Sequence, residues 1–221
     1  MSTKKEDTRA RLFGAARKLL VARGFHGVGL EDIAEAAGVS RQAVYKSHFA
    51  SKGELLLELV RHLHVAEKLD EVARPYFAAQ SGLEMLAEAI RAIVLIEQRI
   101  HDIALVLTAA ASTDPGAKVA SNERLEVKRR ALRAALARVQ ADGHFSAAWQ
   151  LEEAVDVLAA LLSVDTYERL VNEQGWPPEQ LISRVLELAG AFLLRPPGRR
   201  TLPGASPKRG TRPERKRSRR A

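Results

Sequence analysis

Between residues 29 and 52 the chain runs Gly-Leu-Glu-Asp-Ile-Ala-Glu-Ala-Ala-Gly-Val-Ser-Arg-Gln-Ala-Val-Tyr-Lys-Ser-His-Phe-Ala-Ser-Lys. Arg41 and Gln42 carry planar groups that can hydrogen-bond the edges of bases, and Ser40, Tyr45 and Lys46 suit phosphate oxygens. Such chemistry needs a rigid support that presents the polar side chains together. Leu30, Ile33, Ala34 and Ala37 recur at helical spacing, and Gly38 sits where a left-handed residue ends a helix. Val39 is a turn residue of the buried type, and Ser40 is a good N-cap for a second short helix. On that helix Ala43 and Val44 are available to pack inward, leaving Arg41, Gln42, Tyr45 and Lys46 free to point outward. This is a helix-turn-helix pattern. The residues expected to face DNA are Ser40, Arg41, Gln42, Ala43, Tyr45, Lys46, His48 and Lys52, with Lys52 as a phosphate contact. Thr8 and Arg9 are further candidates for the DNA backbone.

The composition supports an all-α protein. Hydrophobic residues make up 46% of the 221 and aromatics only 5%, so the core is built mainly from Leu, Ala, Val and Ile. No convincing strand pattern is present. The absence of cysteine excludes disulfides and thiolate metal sites. The N-terminal residues are charged and contain no apolar signal core. No run of ~18 apolar residues exists, so no membrane span is expected; the expected location is cytoplasmic and nucleoid-associated.

Charge is strongly segregated. Residues 1–52 carry 10 Lys/Arg against 5 Asp/Glu, residues 53–194 carry 14 against 21, and residues 195–221 carry 11 against 1. A basic head and a basic tail thus flank an acidic body. That asymmetry points to a nucleic-acid partner at one end.

Helical periodicity divides the chain further. A first helix is expected over 5–23, with Leu12, Ala15, Ala16, Leu19 and Leu20 inward, followed by helices over 30–37 and 41–48. Ser51 with Glu54 forms a capping box for a long helix that runs to about residue 73, before Pro75 interrupts it. Ser81 with Glu84 opens another over 83–100, and a separate apolar segment covers 102–111. A charged helix over 117–141 places Leu125, Leu132, Leu136 and Val139 inward. Helices over 151–174 and 178–194 close the folded part. After Arg195 the sequence is rich in Pro, Gly, Ser and basic residues. It cannot bury enough apolar area to offset its ordering entropy, and is read as disordered.

These motifs resemble the TetR (tetracycline-repressor) family of bacterial transcriptional regulators. Thr8-Arg9-Ala10-Arg11-Leu12 through Arg23-Gly24-Phe25 is similar to the family's first helix. Asp32-Ile33-Ala34 with Ala37-Gly38-Val39-Ser40 is similar to its second helix and turn. Tyr45, His48-Phe49 and Ser51-Lys52 are similar to the end of its recognition helix and the start of the next. The resemblance implies a three-helix DNA-binding head on a helical domain that binds a small-molecule effector and dimerises. A second likeness, Tyr167 to Trp176, is to a stretch found in a subset of such regulators, whose last two long helices pair with a partner subunit. There are departures. The family carries a hydroxyl residue at the positions of Val28 and Gly29, where it caps a helix and touches a phosphate. Here neither side chain can do so. The family also places one residue between the aromatic and the His-Phe pair, whereas Lys46 and Ser47 both intervene here.

The resemblance divides the chain into a DNA-binding domain (1–52), an effector-binding and dimerisation domain (53–194) and the basic tail (195–221). Bulky candidates for lining a ligand pocket are Tyr76, Phe77, Met85, Leu86 and Trp149. Leu158, Leu161, Leu162, Leu181, Val185 and Leu188 are the candidates for a dimer interface. No cofactor and no metal are expected: His62 and His64 point to different faces of one helix, and no His-Glu-x-x-His spacing exists. His101 is read as a capping or surface residue, with pocket lining as the alternative. No nucleophile elbow or phosphate-binding Gly-rich loop is visible, so an enzyme is not expected. The expected function is a ligand-released repressor that binds a palindromic operator as a homodimer. The competing reading is a DNA-coating protein with no effector.

The tail generates the first prediction. Its eleven basic residues have two readings, a solvated, unstructured extension or a source of nonspecific DNA affinity through counterion release, and the second is the one tested. The full chain should therefore show a steeper fall of DNA affinity with salt than a chain ending at Leu194, measured by fluorescence anisotropy. Equal slopes would rule this role out.

Overall fold

The computed structural model describes residues 2–40, 42, 44, 49 and 51–194, with side chains from residue 6 onward. Nine α-helices are defined among the described residues: α1 (Ser2–Arg23), α2 (Leu30–Ala36), α3 (Lys52–Ala66), α4 (Leu69–Ala78), α5 (Gly82–Ala110), α6 (Pro115–Ala141), α7 (Leu151–Leu161), α8 (Val164–Tyr167) and α9 (Pro178–Leu193). A π-helical segment, Glu168–Glu173, follows α8. No strand occurs among the described residues; one isolated bridge joins Phe145 and Leu194. No helix among them is long and apolar enough to cross a membrane.

Several boundaries depart from expectation. The long helix opened by Ser51 stops at Ala66, well short of residue 73. Lys68 then turns the chain with φ 51, and Arg99 donates to the carbonyls of Glu67 and Lys68. Pro75 does not interrupt anything; it lies inside α4, on an exposed face where water can satisfy the carbonyl it leaves unpaired. The segments expected at 83–100 and 102–111 form one uninterrupted 29-residue helix, α5. Pro115 is the first residue of α6, with Asp114 as its N-cap accepting from Ala117 N–H at 2.8 Å. Leu125 faces outward and is 47% exposed, whereas Leu132, Leu136 and Val139 are buried as expected. The segment expected as one helix over 151–174 is broken at Leu162 into α7, α8 and the π-helical turn.

α5 organises the molecule. A helix of 29 residues is about 43 Å long, and its two halves belong to different apolar clusters. Ile100, Ile103, Val106, Leu107 and Ala110 pack with Leu12, Phe13, Ala16 and Leu20 of α1, Ile33 of α2 and Leu55, Leu56 and Leu59 of α3. Leu86, Ala89, Ile90 and Val94 pack with Leu132 and Leu136 of α6, Leu158 of α7 and Leu181, Ile182 and Val185 of α9. The head's core is therefore continuous with one end of the body, and apolar packing does not stop at residue 52.

α5 and α6 form a hairpin whose far end is pinned by Asp142, which accepts from Gly82 N–H at 2.6 Å. Near the turn, α3 crosses α6 at a pair of glycines. A Cβ on Gly116 would lie 2.7 Å from the carbonyl carbon of Gly53, and one on Gly53 would lie 3.0 Å from the Gly116 Cα. Only glycine lets these two backbones approach so closely. Gly116→Ala should therefore force α3 off α6 and lower stability by about 1–3 kcal/mol, read from chemical denaturation. An unchanged midpoint would mean that the contact is not tight in solution.

Candidate functional site

The head builds its turn from backbone chemistry. Gly29 offers no side-chain cap to α2, but Asp32 accepts from Gly29 N–H at 2.6 Å, which is the reciprocal half of a capping box. Gly38, with φ +63, ends α2. Its N–H donates to Glu35 O and that of Val39 to Ala34 O, both at 3.0 Å, the bond pattern of a Schellman motif. Beyond the turn, Val44 N–H donates to Ser40 O at 3.3 Å. Gln42 is helical and exposed, whereas Val44 and Phe49 are buried. Gln42 thus faces outward and Val44 inward, as the spacing predicts for these two residues. Arg41, Ala43, Tyr45, Lys46 and His48 lie outside the described residues, as does the tail.

Two expected backbone contacts take other roles. The Lys52 ammonium turns inward, donates to Phe25 O and to Val28 O at 2.8 Å, and stands 4.1 Å from the centroid of the Phe25 ring. Burial pushes its pKa below the ordinary lysine value, offset in part by Asp114 and Asp32. The carbonyls of the α1–α2 connection need donors, and Lys52 supplies one; as placed it is not presented to a phosphate. Arg9 pairs with Glu58 and lies over the Phe13 and Phe49 rings, 5.4 and 5.6 Å from their centroids. It secures α1 to α3.

Arg17 ties the head to the body. Its Nε and Nη2 donate to the two carboxylate oxygens of Asp102 at 2.9 and 3.0 Å, Nη1 to Glu67 at 2.6 Å, and Nη2 also to Arg99 O at 2.9 Å. This is the planar, bidentate geometry for which guanidinium is suited. Helices α1, α3 and α5 meet at this one side chain.

The residues expected to line a pocket do not converge. Tyr76 is buried in the second apolar cluster and donates to Ala131 O at 3.2 Å. Leu86 is buried, Met85 and Trp149 are half-buried against the same cluster, and Phe77 is 77% exposed. None of them lines the body's cleft, a crease too tight for a water molecule, walled by Ile93, Val94, Glu97, Leu162, Ser163, Tyr167 and Leu181. Of the leucines and valine expected at a subunit interface, Leu158, Leu162, Leu181 and Val185 are buried within the protomer, because α7 and α9 pack on α5 and α6. Leu161 is half-buried, and Leu188 is 40% exposed. The outer face of these helices also exposes Val157 and Phe192, which spacing alone did not single out.

Charged groups gather beside the cleft, between the two apolar clusters. Glu97 is 2% exposed and receives Arg124 on one oxygen and His101 Nδ1 on the other at 3.0 Å. His101 is itself buried, so its expected surface or capping role is corrected. Its Nε2 reaches Glu168 at 2.5 Å, and Asn172 donates to the same Glu168 oxygen at 2.6 Å. Burial alone would push the Glu97 carboxyl up, but His101, Arg124 and Lys128 outweigh it and hold it below the usual range. Burial likewise opposes charge on His101, and its bonds to Glu97 and Glu168 raise its pKa above the ordinary value. Lys128, whose ammonium donates to Leu162 O, is pushed down to about 8 by burial and by Arg124, against the pull of Glu97. The acceptors Leu162 and Glu168 flank α8, where the chain passes into π-helical winding, a feature frequent at functional sites.

Sequence reasoning passed over Glu97, Arg124, Lys128 and Glu168. A signal existed: Glu97 interrupts the apolar run from Ala92 to Ile96, on the face marked by Ile90 and Val94, with His101 one turn further.

Residues 12–59 match the bacterial regulatory proteins of the tetR family. The transcriptional regulator TtgR of Pseudomonas putida is 45% identical over 69 residues, 31% of each chain. The transcriptional activator FasR of Mycolicibacterium smegmatis is 33% identical over 88 residues, 40% of this chain and 39% of that relative. The match thus spans under half the length of these curated relatives. A transcriptional regulator from Saccharomonospora viridis, solved in complex with choline, superposes with a TM-score of 0.70 at 20% identity, covering 86% of this chain and 99% of that one.

The charge cluster sets a pH dependence. His101 has a folded pKa above its unfolded value, so its contribution is full below about 6.5 and is lost as pH rises through the folded value. His101→Gln should flatten that decline in the unfolding free energy. Lys128 has the opposite sign: its folded value of about 8 lies below the unfolded 10.5, so its charge opposes folding fully below about pH 8. Lys128→Met should stabilise the protein at neutral pH by something on the order of 1–3 kcal/mol. A less stable Lys128→Met would contradict the placement of this ammonium.

Proposed function

Since the chain belongs to the tetR family of bacterial regulatory proteins, we propose that it is a DNA-binding transcriptional regulator, a repressor that an organic effector releases from a palindromic operator. The observation that carries this reading is the helix-turn-helix within the matched residues, with its Schellman turn at Gly38 and Gln42 exposed on the helix beyond. One such head reads too few base pairs to be selective, so two heads related by a two-fold axis are required. The exposed Val157, Leu188 and Phe192 supply the apolar surface on which α7 and α9 would pair with a second copy. The choline held by the S. viridis neighbour supports an effector role for the body.

Release would occur by population shift. His101 and Asp102 are adjacent on α5, one bonded to Glu97 and Glu168 beside the cleft and the other holding Arg17 of the head. A ligand that moves α5 at the cleft therefore moves the partner of Arg17, and with it the separation of two heads in a dimer.

Selection of bound DNA from a random pool tests the reading. A palindromic consensus is expected, bound far more tightly than random sequence. Gln42→Ala should weaken that binding by about 1–3 kcal/mol while the dimer persists by analytical ultracentrifugation. Equal affinity for selected and random DNA would favour a DNA-coating protein with no effector.

A further inference from the structure

The cluster in the middle of the body is balanced around one imidazole. Glu97 and His101 stand on α5, Arg124 and Lys128 on α6, and Glu168 with Asn172 on the π-helical turn. The Tyr167 ring at the end of α8 packs 4.8 Å from the imidazole, and Glu179 of α9 acts on Tyr167. The charges of Glu97, Glu168 and Glu179 match those of Arg124, Lys128 and His101 only while His101 is protonated. Its hydrogen bonds make the same demand. Nδ1 lies 3.0 Å from a Glu97 oxygen, and Nε2 lies 2.5 Å from a Glu168 oxygen. The imidazolium donates to both. A neutral imidazole has one N–H and one lone pair, so it serves one carboxylate and turns a lone pair on the other.

The two carboxylates differ in what they can do without the imidazole. Glu97 is 2% exposed and cannot exchange His101 for water. The Glu168 side chain is 32% exposed and keeps Asn172 as a donor, so water can take the place of Nε2. Loss of the proton therefore leaves Nδ1–H on Glu97 and breaks the bond to Glu168. We propose that His101 is a pH latch: as the imidazolium it ties the π-helical turn to α5, and without its proton it frees Glu168 to solvent and the turn from α5. The raised pKa of His101 puts the opening on the alkaline side of about 6.5. Other ties limit what opens. Leu170 and Val171 stay packed against the distal cluster, and Trp176 N–H donates to Leu170 O at 2.9 Å. The change is thus a loosening of one turn, not a loss of α7 or α9. Asp102, the next residue of α5, holds Arg17 of the head, so the latch adjoins the anchor between body and head. That last link, which makes DNA affinity respond to the latch, rests on the DNA-binding reading above; the latch itself does not.

Two measurements on the full-length protein test the latch across the alkaline range. Imidazole nitrogen NMR should show His101 as the imidazolium at neutral pH and, once deprotonated, as the Nδ1–H tautomer. Hydrogen exchange should show amide protection over 168–173 falling about tenfold or more through the same transition. Glu168→Gln carries the opposite expectation: its amide can donate to the Nε2 lone pair, so the turn stays protected after His101 loses its proton. His101→Gln has no proton to lose and should show no transition. Lys128 titrates nearby, at about 8, so Lys128→Met is the control and should keep the transition. An Nε2–H tautomer, an imidazolium that persists through the range, equal loss of protection in wild type and Glu168→Gln, or a transition that vanishes in Lys128→Met would overturn the latch. Anisotropy on selected DNA reads the link to the head. Affinity should change with the transition in wild type and not in Glu168→Gln. Selected DNA bound with no such difference leaves the latch standing and removes its effect on the head, whereas the absence of any selected sequence defeats the DNA-binding reading alone.

Discussion

A carboxylate that is 2% exposed cannot stay charged without partners, and the need to satisfy Glu97 shapes the middle of this molecule. Arg124 and His101 bring α6 and the next turn of α5 to it, and His101 passes the requirement on to Glu168. The π-helical turn that begins at Glu168 is where that second acid is delivered. Hydrophobic contact alone would let α5, α6 and the α8 segment slide against one another. Directional bonds to one buried carboxylate set their register. The arrangement contributes definition rather than great stability, because every member has lost water to join it.

The position of this cluster matters as much as its chemistry. It lies between the apolar core shared with the head and the core of the distal body, near the middle of α5 and α6, which both contribute to the two cores. Adjacent residues of a helix point about 100° apart, so His101 and Asp102 face different neighbours while moving as one body. Asp102 and Glu67 hold Arg17, and the glycine contact at Gly53 and Gly116 keeps α3 against α6. The head is therefore fastened to the body by the Arg17 guanidinium and by the apolar core they share, and the glycine contact fixes α3, which leads out of the head, against α6. Lys52 shows the same economy of roles: a cation that suits a phosphate by type instead closes the carbonyls of the α1–α2 connection.

What the sequence by itself determined is the local structure of the head and the class of fold. Gly38, Ser51 and Ser81 act through bonds to residues within a few positions, so their turns and caps could be read from spacing. The alternation of Gln42 outward and Val44 inward is equally local. Helix breaks were less legible. Pro75 was expected to stop a helix that in fact ends at Ala66, before the turn at Lys68, where Arg99, 31 residues away in the chain, holds the freed carbonyls. Only the tertiary structure decided which leucines of α7 and α9 are spent within the protomer and which face outward, because amphipathic spacing marks an apolar stripe without saying what covers it. It alone brought Glu97, His101, Arg124, Lys128 and Glu168 together from three segments up to 71 positions apart. The energy of a buried charge depends on every neighbour in three dimensions, and no local pattern encodes that sum.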